Sequence, residues 1–135
     1  MDINISTAPQ GAPTEVMANF ISTLFHSRTQ AHTFHLQTNS FAAHKALNDY
    51  YDSIIDIVDG FVESYQGRYG ILKGYKGMPE DLEYDENLTV KYFEALCMYV
   101  EKNRQLLPQD SYLQNQVDEI VALIESTKYK LIYLH

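Results

Sequence analysis

Residues 67–87, GRYGILKGYKGMPEDLEYDEN, form the stretch that decides how the rest of the chain can be arranged. It contains four glycines and one proline, and long segments with helical patterns lie on both sides of it. Antiparallel neighbouring helices in bundles are usually joined by about two to eight residues. This stretch is much longer, so it predicts a crossover connection that returns along the bundle instead of a tight turn.

Two helices are predicted before this connection. The first spans residues 14–37, and the second spans residues 40–66, with Ser40 as its N-cap and Gly67 at its end. Their apolar residues recur at helical spacing. In the first helix these are Met17, Phe20, Leu24, Ala31 and Phe34, and in the second they are Ala43, Leu47, Tyr50, Ile54, Ile57 and Phe61.

Two more helices are predicted after the connection. The third spans residues 88–106 and is ended by Pro108, and the fourth spans residues 111–134 and opens with Ser111 and Gln114 in a capping-box arrangement. The fourth helix carries an unbroken apolar seam made of Leu113, Val117, Ile120, Ile124, Thr127, Leu131 and Leu134. Four helices with short first and third links and one long second link are typical of a four-helix bundle with a single crossover, the ferritin-like arrangement. An all-helical interaction module of another topology is the alternative.

Composition limits the domain organisation and the partners. Residues 1–13 are predicted to be a flexible arm and residues 14–135 to be one domain. Eighteen acidic residues against ten basic residues give a net charge of −8, which argues against nucleic acid as a partner. The lone cysteine, Cys97, excludes an internal disulfide and is predicted to be a buried thiol. Because neither an export signal nor a membrane-length apolar run is present, we expect a soluble cytoplasmic protein.

The second predicted helix carries two pairs of potential metal ligands. His44 with Asn48, and Asp59 with Glu63, are spaced four residues apart, so each pair lies on one face of the helix. The pairs are 15 residues apart, or about 22 Å along the helix, and cannot share a metal ion within one chain. An antiparallel two-fold copy of the helix would place the first pair of one chain beside the second pair of the other.

An acidic stripe runs along the same helix. Its members are Asp49, Asp52, Asp56, Asp59 and Glu63. The alternative interpretation of this stripe is a solvated face opposite the apolar seam.

Residues 33–63, TFHLQTNSFAAHKALNDYYDSIIDIVDGFVE, resemble the metal-site segment of the Dps family, the ferritin-like DNA-binding proteins from starved cells. That segment has Phe-His-Trp, a short loop with a Phe, His-x-x-x-Asp and then Asp-x-x-x-Glu. This chain differs from it at Leu36, which replaces the Trp, in a shorter loop without glycine, and at Asn48, which replaces the first Asp.

The resemblance implies an iron site shared between two subunits. It assigns His35, His44 and Asn48 of one subunit, together with Asp59 and Glu63 of the two-fold neighbour, as ligands of iron or another divalent metal. It also implies ferroxidase-like oxidation of ferrous iron and a homo-oligomer built from two-fold dimers. We expect Asn48 to weaken this site, because an amide oxygen is a poorer ligand for hard cations than a carboxylate.

The sequence is also compatible with a second function. A ferritin-like bundle that has lost its metal would serve as a structural or interaction module, and its eleven tyrosines would be used at contacts. His35 and His44 would then cap or hydrogen-bond across the junction between the first two helices. Asn48 and Leu36 favour this alternative.

Overall fold

The structure is a computed structural model that describes residues 14–77 and 82–135. The described residues form four α-helices and one short 3₁₀ helix, and they contain no strand. The helices are α1 (Thr14–Gln37), α2 (Phe41–Tyr69), α3 (Glu86–Asn103) and α4 (Ser111–Tyr133), with the 3₁₀ turn at Arg104–Leu106. The prediction of an all-α four-helix bundle is confirmed. The predicted arm at residues 1–13 lies outside the described residues.

Local hydrogen bonds explain where α2 and α3 begin. Ser40 caps α2 as predicted, since its Oγ accepts a hydrogen bond from Ala43 N at 3.2 Å. Asp85 caps α3, because its Oδ1 accepts from the backbone N–H groups of Asn87 and Leu88, each at 3.0 Å. This cap starts the helix two residues before the predicted residue 88.

Two predicted helix signals are wrong. Gly67 does not end α2, which continues to Tyr69 and ends at Gly70. The tertiary contacts of the last turn explain the extension, because the Tyr69 hydroxyl donates to Asp110 Oδ1 at the start of α4. Gln114 does not form a capping box with Ser111; its Nε2 donates to the carbonyl oxygens of Arg104 and Pro108 and so stabilises the 3₁₀ turn.

Contacts between helices define their directions. Lys130 Nζ lies 3.8 Å from Asp49 Oδ2. Gln116 Nε2 donates to Ser64 Oγ, so α2 and α4 are antiparallel. Ring contacts pair Phe20 with Tyr99 and Phe34 with Tyr92, so α1 and α3 are also antiparallel. Since α1 and α2 form a hairpin through residues 38–40, α3 runs parallel to α2.

The long connection between α2 and α3 is bound to α1 by hydrogen bonds between its backbone groups and side chains of α1. Lys76 N donates to Ser22 Oγ in the first half of α1, whereas Tyr84 N donates to Gln37 Oε1 at its end. Between these points Gln30 bonds both the N–H and the C=O group of Leu82, at 2.7 and 3.0 Å. These contact points on α1, from Ser22 to Gln37, span about 22 Å of the helix, which confirms the predicted crossover.

The core lies between the four helices and matches the apolar periodicity closely. All five apolar positions predicted for α1 are fully buried, and the centre of α4 is buried equally well. The seam of α4 ends earlier than predicted, because Leu131 is only half-buried and Leu134 is 46% exposed. Cys97 is half-buried against the core instead of fully buried.

Candidate metal-binding face at the junction of α1 and α2

His35 and His44 bond each other across the α1–α2 junction. The Nδ1 atom of His35 lies 2.6 Å from the carbonyl oxygen of His44, and the Nδ1 atom of His44 lies 2.8 Å from the carbonyl oxygen of His35. The two rings stack with their centroids 3.6 Å apart and their planes 20° from parallel. These contacts connect the last turn of α1 to the first turn of α2.

The reciprocal hydrogen bonds assign the tautomer of both histidines. A carbonyl oxygen can only accept, so Nδ1 of each ring must carry the hydrogen. The lone pair of each neutral ring is then on Nε2. Metal-binding histidines commonly show this pattern, with one nitrogen bound to a carbonyl or carboxylate and the other bound to the ion.

Asn48 lies one turn after His44 but its amide is engaged within α2. Tyr51 donates its hydroxyl hydrogen to Asn48 Oδ1 at 2.7 Å, and Asn48 Nδ2 donates to Asp52 Oδ2 at 3.1 Å. The oxygen that would have to ligate a metal ion therefore already accepts a hydrogen bond.

Tyr51 also contacts two histidines of α1, a role that sequence reasoning missed. Its ring stacks on His32 at a centroid distance of 4.2 Å and meets the edge of His35 at 5.3 Å. An aromatic residue on a helix is typical of a core and does not by itself indicate a site. The sequence feature that could have identified Tyr51 is its spacing. It is three residues from Asn48 and seven from His44, so the three side chains share one face of the helix.

Asp59 and Glu63 are exposed near the other end of α2. They lie about 22 Å from the histidine pair along the helix, so one chain does not bring the five predicted ligands together. Within residues 14–77 and 82–135 there is no group of three or more His, Cys, Asp or Glu side chains that could hold a metal ion. The predicted site needs a second chain, and its assembly stays a prediction.

The chemistry of the donor groups fits a divalent cation in such a two-chain arrangement. Two imidazoles with Nε2 lone pairs on one chain and two solvent-exposed carboxylates on another would supply nitrogen and oxygen ligands. The whole acidic stripe of α2, from Asp49 to Glu63, is exposed in the single chain. This exposure fits a face that is covered only by solvent, and it also fits a face that contacts a second chain.

Exposed apolar side chains flank the histidine pair. Leu36 is 70% exposed and Phe41 is 79% exposed, and they lie beside His35 and near His44, respectively. A groove of about 310 Å³ begins at Phe41 and runs between the start of α2 and the end of α4. Its lining also includes Ala42, Lys45, Ala46, Asp49, Lys130 and Leu134.

Cys97 lies apart from this face, and its thiol has low reactivity. Burial, together with a hydrogen bond to Glu125, raises the pKa of its thiol to about 11. The thiol is therefore almost fully protonated near neutral pH, and a thiolate is the form that attacks electrophiles or binds metals.

The length and composition of the helices are also informative about membranes. None of the helices in the described part of the chain is long and apolar enough to cross a membrane.

Comparison with known proteins places the chain among relatives of unknown activity. One curated relative is 24% identical over 112 residues, covering 83% of this chain and 84% of its own length, and is described as an uncharacterized 14.6 kDa protein in the mobD-ri intergenic region of Enterobacteria phage T4. No solved structure gives a significant match. Residues 35–131 match the model of a family of unknown function, DUF5856, and this segment includes all five predicted ligands. The chain belongs to this family.

Proposed function

We propose that the chain is a ferritin-like, Dps-related protein that forms two-fold homodimers and binds iron or another divalent metal between the subunits. The His35–His44 pair carries the proposal. Each imidazole has its Nδ1 bound to a carbonyl oxygen, so its Nε2 lone pair is available to an ion. Because the two rings stack face to face, at least one of them must turn before both can bind the same ion.

The direction of the helices supports the family assignment. One long connection between α2 and α3, with α3 parallel to α2, is the single-crossover connectivity of ferritin-like bundles. Topology alone does not imply function, so the proposal depends on the side chains of α2 as well.

The spacing of the ligands on α2 supports a two-fold dimer. The midpoint between His44 and Glu63 falls between Ser53 and Ile54, and the midpoint between Asn48 and Asp59 falls at the same place. One antiparallel register of two α2 helices therefore brings both pairs together at once. It does so twice per dimer, because the interface of a two-fold dimer is self-complementary.

Exposed apolar residues support association on this side of the bundle. Leu36 and Phe41 are large, mostly exposed and next to the histidine pair, and apolar surface of this kind often marks a contact with another protein. Ile55, which is half-buried in the single chain, lies beside the midpoint of the proposed register.

Ferrous iron would be the substrate of the proposed ferroxidase-like activity. Each Fe²⁺ gives up one electron, and dioxygen or hydrogen peroxide accepts it. The chain's contribution is to hold the ion through His35, His44 and the partner's carboxylates, with coordination positions left for the oxidant. The cytoplasm, where ferrous iron is available, is the proposed location.

Metal titration tests the proposal directly. Protein purified without chelator is analysed for bound metals, and then titrated with Fe²⁺ under anaerobic conditions or with Zn²⁺. We expect two equivalent sites per dimer, and stronger binding in Asn48→Asp, because that change adds a charged oxygen ligand. If neither the wild type nor Asn48→Asp shows a stoichiometric site, the proposal is wrong.

A metal-free interaction module is the second candidate function. The engagement of Asn48 Oδ1 by Tyr51 favours it, because one of the two lone pairs of this assigned ligand is already used by a hydrogen bond within the chain. In this alternative the histidine pair only connects α1 to α2, and the exposed Leu36 and Phe41 contact a partner. Dimers that form without metal and bind none would support it.

A further inference from the structure

We infer that residues 68–76 of one chain, the basic segment, dock head to tail into a groove between α3 and α4 of a second copy. The groove carries carboxylates beside its apolar walls and is called the acidic groove below. This contact joins two different surfaces of the chain. It is therefore distinct from the proposed two-fold interface on α2, and it does not depend on a metal ion.

The basic segment differs in charge from the rest of the chain. Residues 64–79 contain three basic residues and no acidic residue, whereas the whole chain has a net charge of −8. Arg68 is partly neutralised, because its Nε lies 3.7 Å from Asp110 Oδ2. Lys73 and Lys76 are exposed, and neither forms an ion pair with another residue that the structure describes. Two ammonium groups are thus available to an acidic partner.

The segment is held in a fixed position on the bundle. Leu72 is buried, and its N–H donates to Gln66 Oε1 at 3.0 Å. The N–H of Lys76 donates to Ser22 Oγ, also at 3.0 Å. Next to the buried Leu72, Ile71 is 72% exposed. The segment therefore presents an apolar side chain together with two cations in a preformed arrangement, which lowers the entropy lost on binding.

The acidic groove lies between the start of α3 and the end of α4 and has a volume of about 520 Å³. Its apolar walls are formed by Val90, Leu131 and Ile132. Glu86 and Glu94 lie eight residues apart on one face of α3, or about 12 Å along the helix. Lys91 and His135 also line the groove, so two carboxylates stand against one ammonium group. The groove thus combines an apolar interior with an excess of negative charge.

Charge distinguishes this groove from the one that begins at Phe41. Lys45 and Lys130 line that other groove against one carboxylate, Asp49, so a basic segment would meet like charge there. The acidic stripe of α2 carries more negative charge, but the proposed two-fold interface covers it. The acidic groove is the surface that can receive both an exposed isoleucine and two lysines. Complementary charge contributes mainly specificity, so we expect a weak contact that depends on salt.

The two surfaces cannot meet within one chain. The basic segment contacts α1 at Ser22, whereas the connection reaches Gln37 before α3 begins. These two points on α1 are about 22 Å apart. The ring contact of Phe34 with Tyr92 places the start of α3 at the Gln37 end of the bundle. Docking therefore requires a second copy, and a contact between two different surfaces builds rings or open chains.

Exchanging the charges of the two surfaces tests the inference. One variant, Lys73→Glu with Lys76→Glu, makes the segment acidic. The other variant, Glu86→Lys with Glu94→Lys, makes the groove basic. Each variant alone has two surfaces of like charge, so head-to-tail assembly should be lost. In an equimolar mixture every segment can meet a groove of opposite charge, so assembly should return. Analytical ultracentrifugation of the full-length proteins measures the weight-average mass.

Salt and two further variants complete the experiment. For the wild type we expect a larger mass at about 0.01 M than at about 1 M salt, because the Debye length falls from about 30 Å to about 3 Å. Ile71→Ser should lower the mass at low salt without any change of charge. Lys102→Glu, at an exposed position of α3, is the control and should assemble like the wild type. Circular dichroism checks that every variant is folded.

Three outcomes would overturn the inference. The first is a wild-type mass that does not change with salt, and the second is a mixture whose mass stays as small as that of its components. The third is binding of a single-stranded oligonucleotide that requires Lys73 and Lys76 and leaves the protein mass unchanged, which would assign the segment to nucleic acid.

The same variants keep the inference separate from the proposed function. They leave all five assigned metal ligands in place, so metal titration of each variant should match that of the wild type. Loss of head-to-tail assembly with unchanged metal binding supports the inference. Assembly that responds to the charge exchange in a protein that binds no metal would overturn the proposed function and leave the inference standing.

Discussion

His35 and His44 hold the first helix junction together by bonding each other's backbone. Each ring donates from Nδ1 to the other residue's carbonyl oxygen, and the rings stack 3.6 Å apart. The carbonyl of His35 belongs to the last turn of α1, where no further helical N–H groups follow to satisfy it. The pair therefore has a structural role, and the same contacts leave the nitrogens that a metal ion requires.

Replacing His44 should destabilise the protein even without metal. His44→Ala removes the stacking contact and the hydrogen bond to His35 O, so we expect the free energy of unfolding to fall by about 1–3 kcal/mol. Urea denaturation in the presence of a chelator measures this. Lys45→Ala, at the exposed neighbouring position, is the control and should change stability little. An unchanged midpoint for His44→Ala would show that the pair contributes nothing to folding.

Removing one carboxylate of the proposed site should affect binding without affecting the fold. Glu63→Gln alters an exposed side chain, so the apo protein should unfold at the wild-type temperature. Its affinity for Zn²⁺ should decrease by at least about tenfold, since a charged ligand is lost. Asp49→Asn is the matched control on the same helix. Asp49 is not one of the assigned ligands, and its carboxylate lies 3.8 Å from Lys130 of α4 in the same chain. Equal affinities for the two variants, measured by calorimetry, would exclude Glu63 as a ligand.

The proposed dimer should dissociate when charge is placed at its centre. Ile55 lies beside the midpoint of the antiparallel register, so Ile55→Glu puts two added carboxylates close to each other and to the acidic stripes of both helices. Light scattering should report dimers or larger species for the wild type and monomers for Ile55→Glu. Leu106→Glu is the control, because Leu106 is 56% exposed and lies in the 3₁₀ turn that follows α3, away from α2 residues 44–63. A monomeric wild type at micromolar concentration would remove both the dimer and the site.

The fold was more predictable from sequence than the site because its signals are local. The helix bounds follow from apolar spacing and from caps such as Ser40, and the crossover follows from the length of residues 67–87. The prediction that α2 ends at Gly67 was wrong because the cost of a glycine in a helix, about 1 kcal/mol, is small compared with the tertiary contacts of Tyr69.

The details of the site depended on contacts that no local pattern encodes. Spacing placed His35, His44 and Asn48 near one another. It did not reveal that the histidines bond each other's backbone or that Tyr51 engages the Asn48 oxygen. Both contacts arise from the packing angle of α1 on α2, and the pairing with Asp59 and Glu63 requires a second chain.

The crossover connection should loosen when Gln30 is replaced. Gln30 is fully buried and bonds both backbone groups of Leu82, so Gln30→Leu leaves these groups without their partner. We expect a loss of about 1–3 kcal/mol in stability and faster proteolysis within residues 70–85. Thr29→Ala, at an exposed position on the same helix, is the control. Wild-type proteolysis rates in Gln30→Leu would contradict the proposed role of this side chain.

Cys97 should react slowly with alkylating agents, because burial and the neighbouring Glu125 keep its thiol protonated. Burial and the hydrogen bond to Glu125 raise the pKa of the thiol to about 11, so the thiolate fraction at pH 8 is about one in a thousand, against about a quarter for an ordinary thiol. The rate with iodoacetamide should therefore rise about tenfold per pH unit from pH 7 to 9, with no plateau. Glu125→Gln removes the nearby negative charge, lowers the pKa of the thiol and should accelerate alkylation at pH 8. Glu119→Gln on the same helix should leave the rate unchanged, because Glu119 is not among the groups that raise the pKa of Cys97. A rate that levels off below pH 9 in the wild type would show that the thiol is not held protonated by its surroundings.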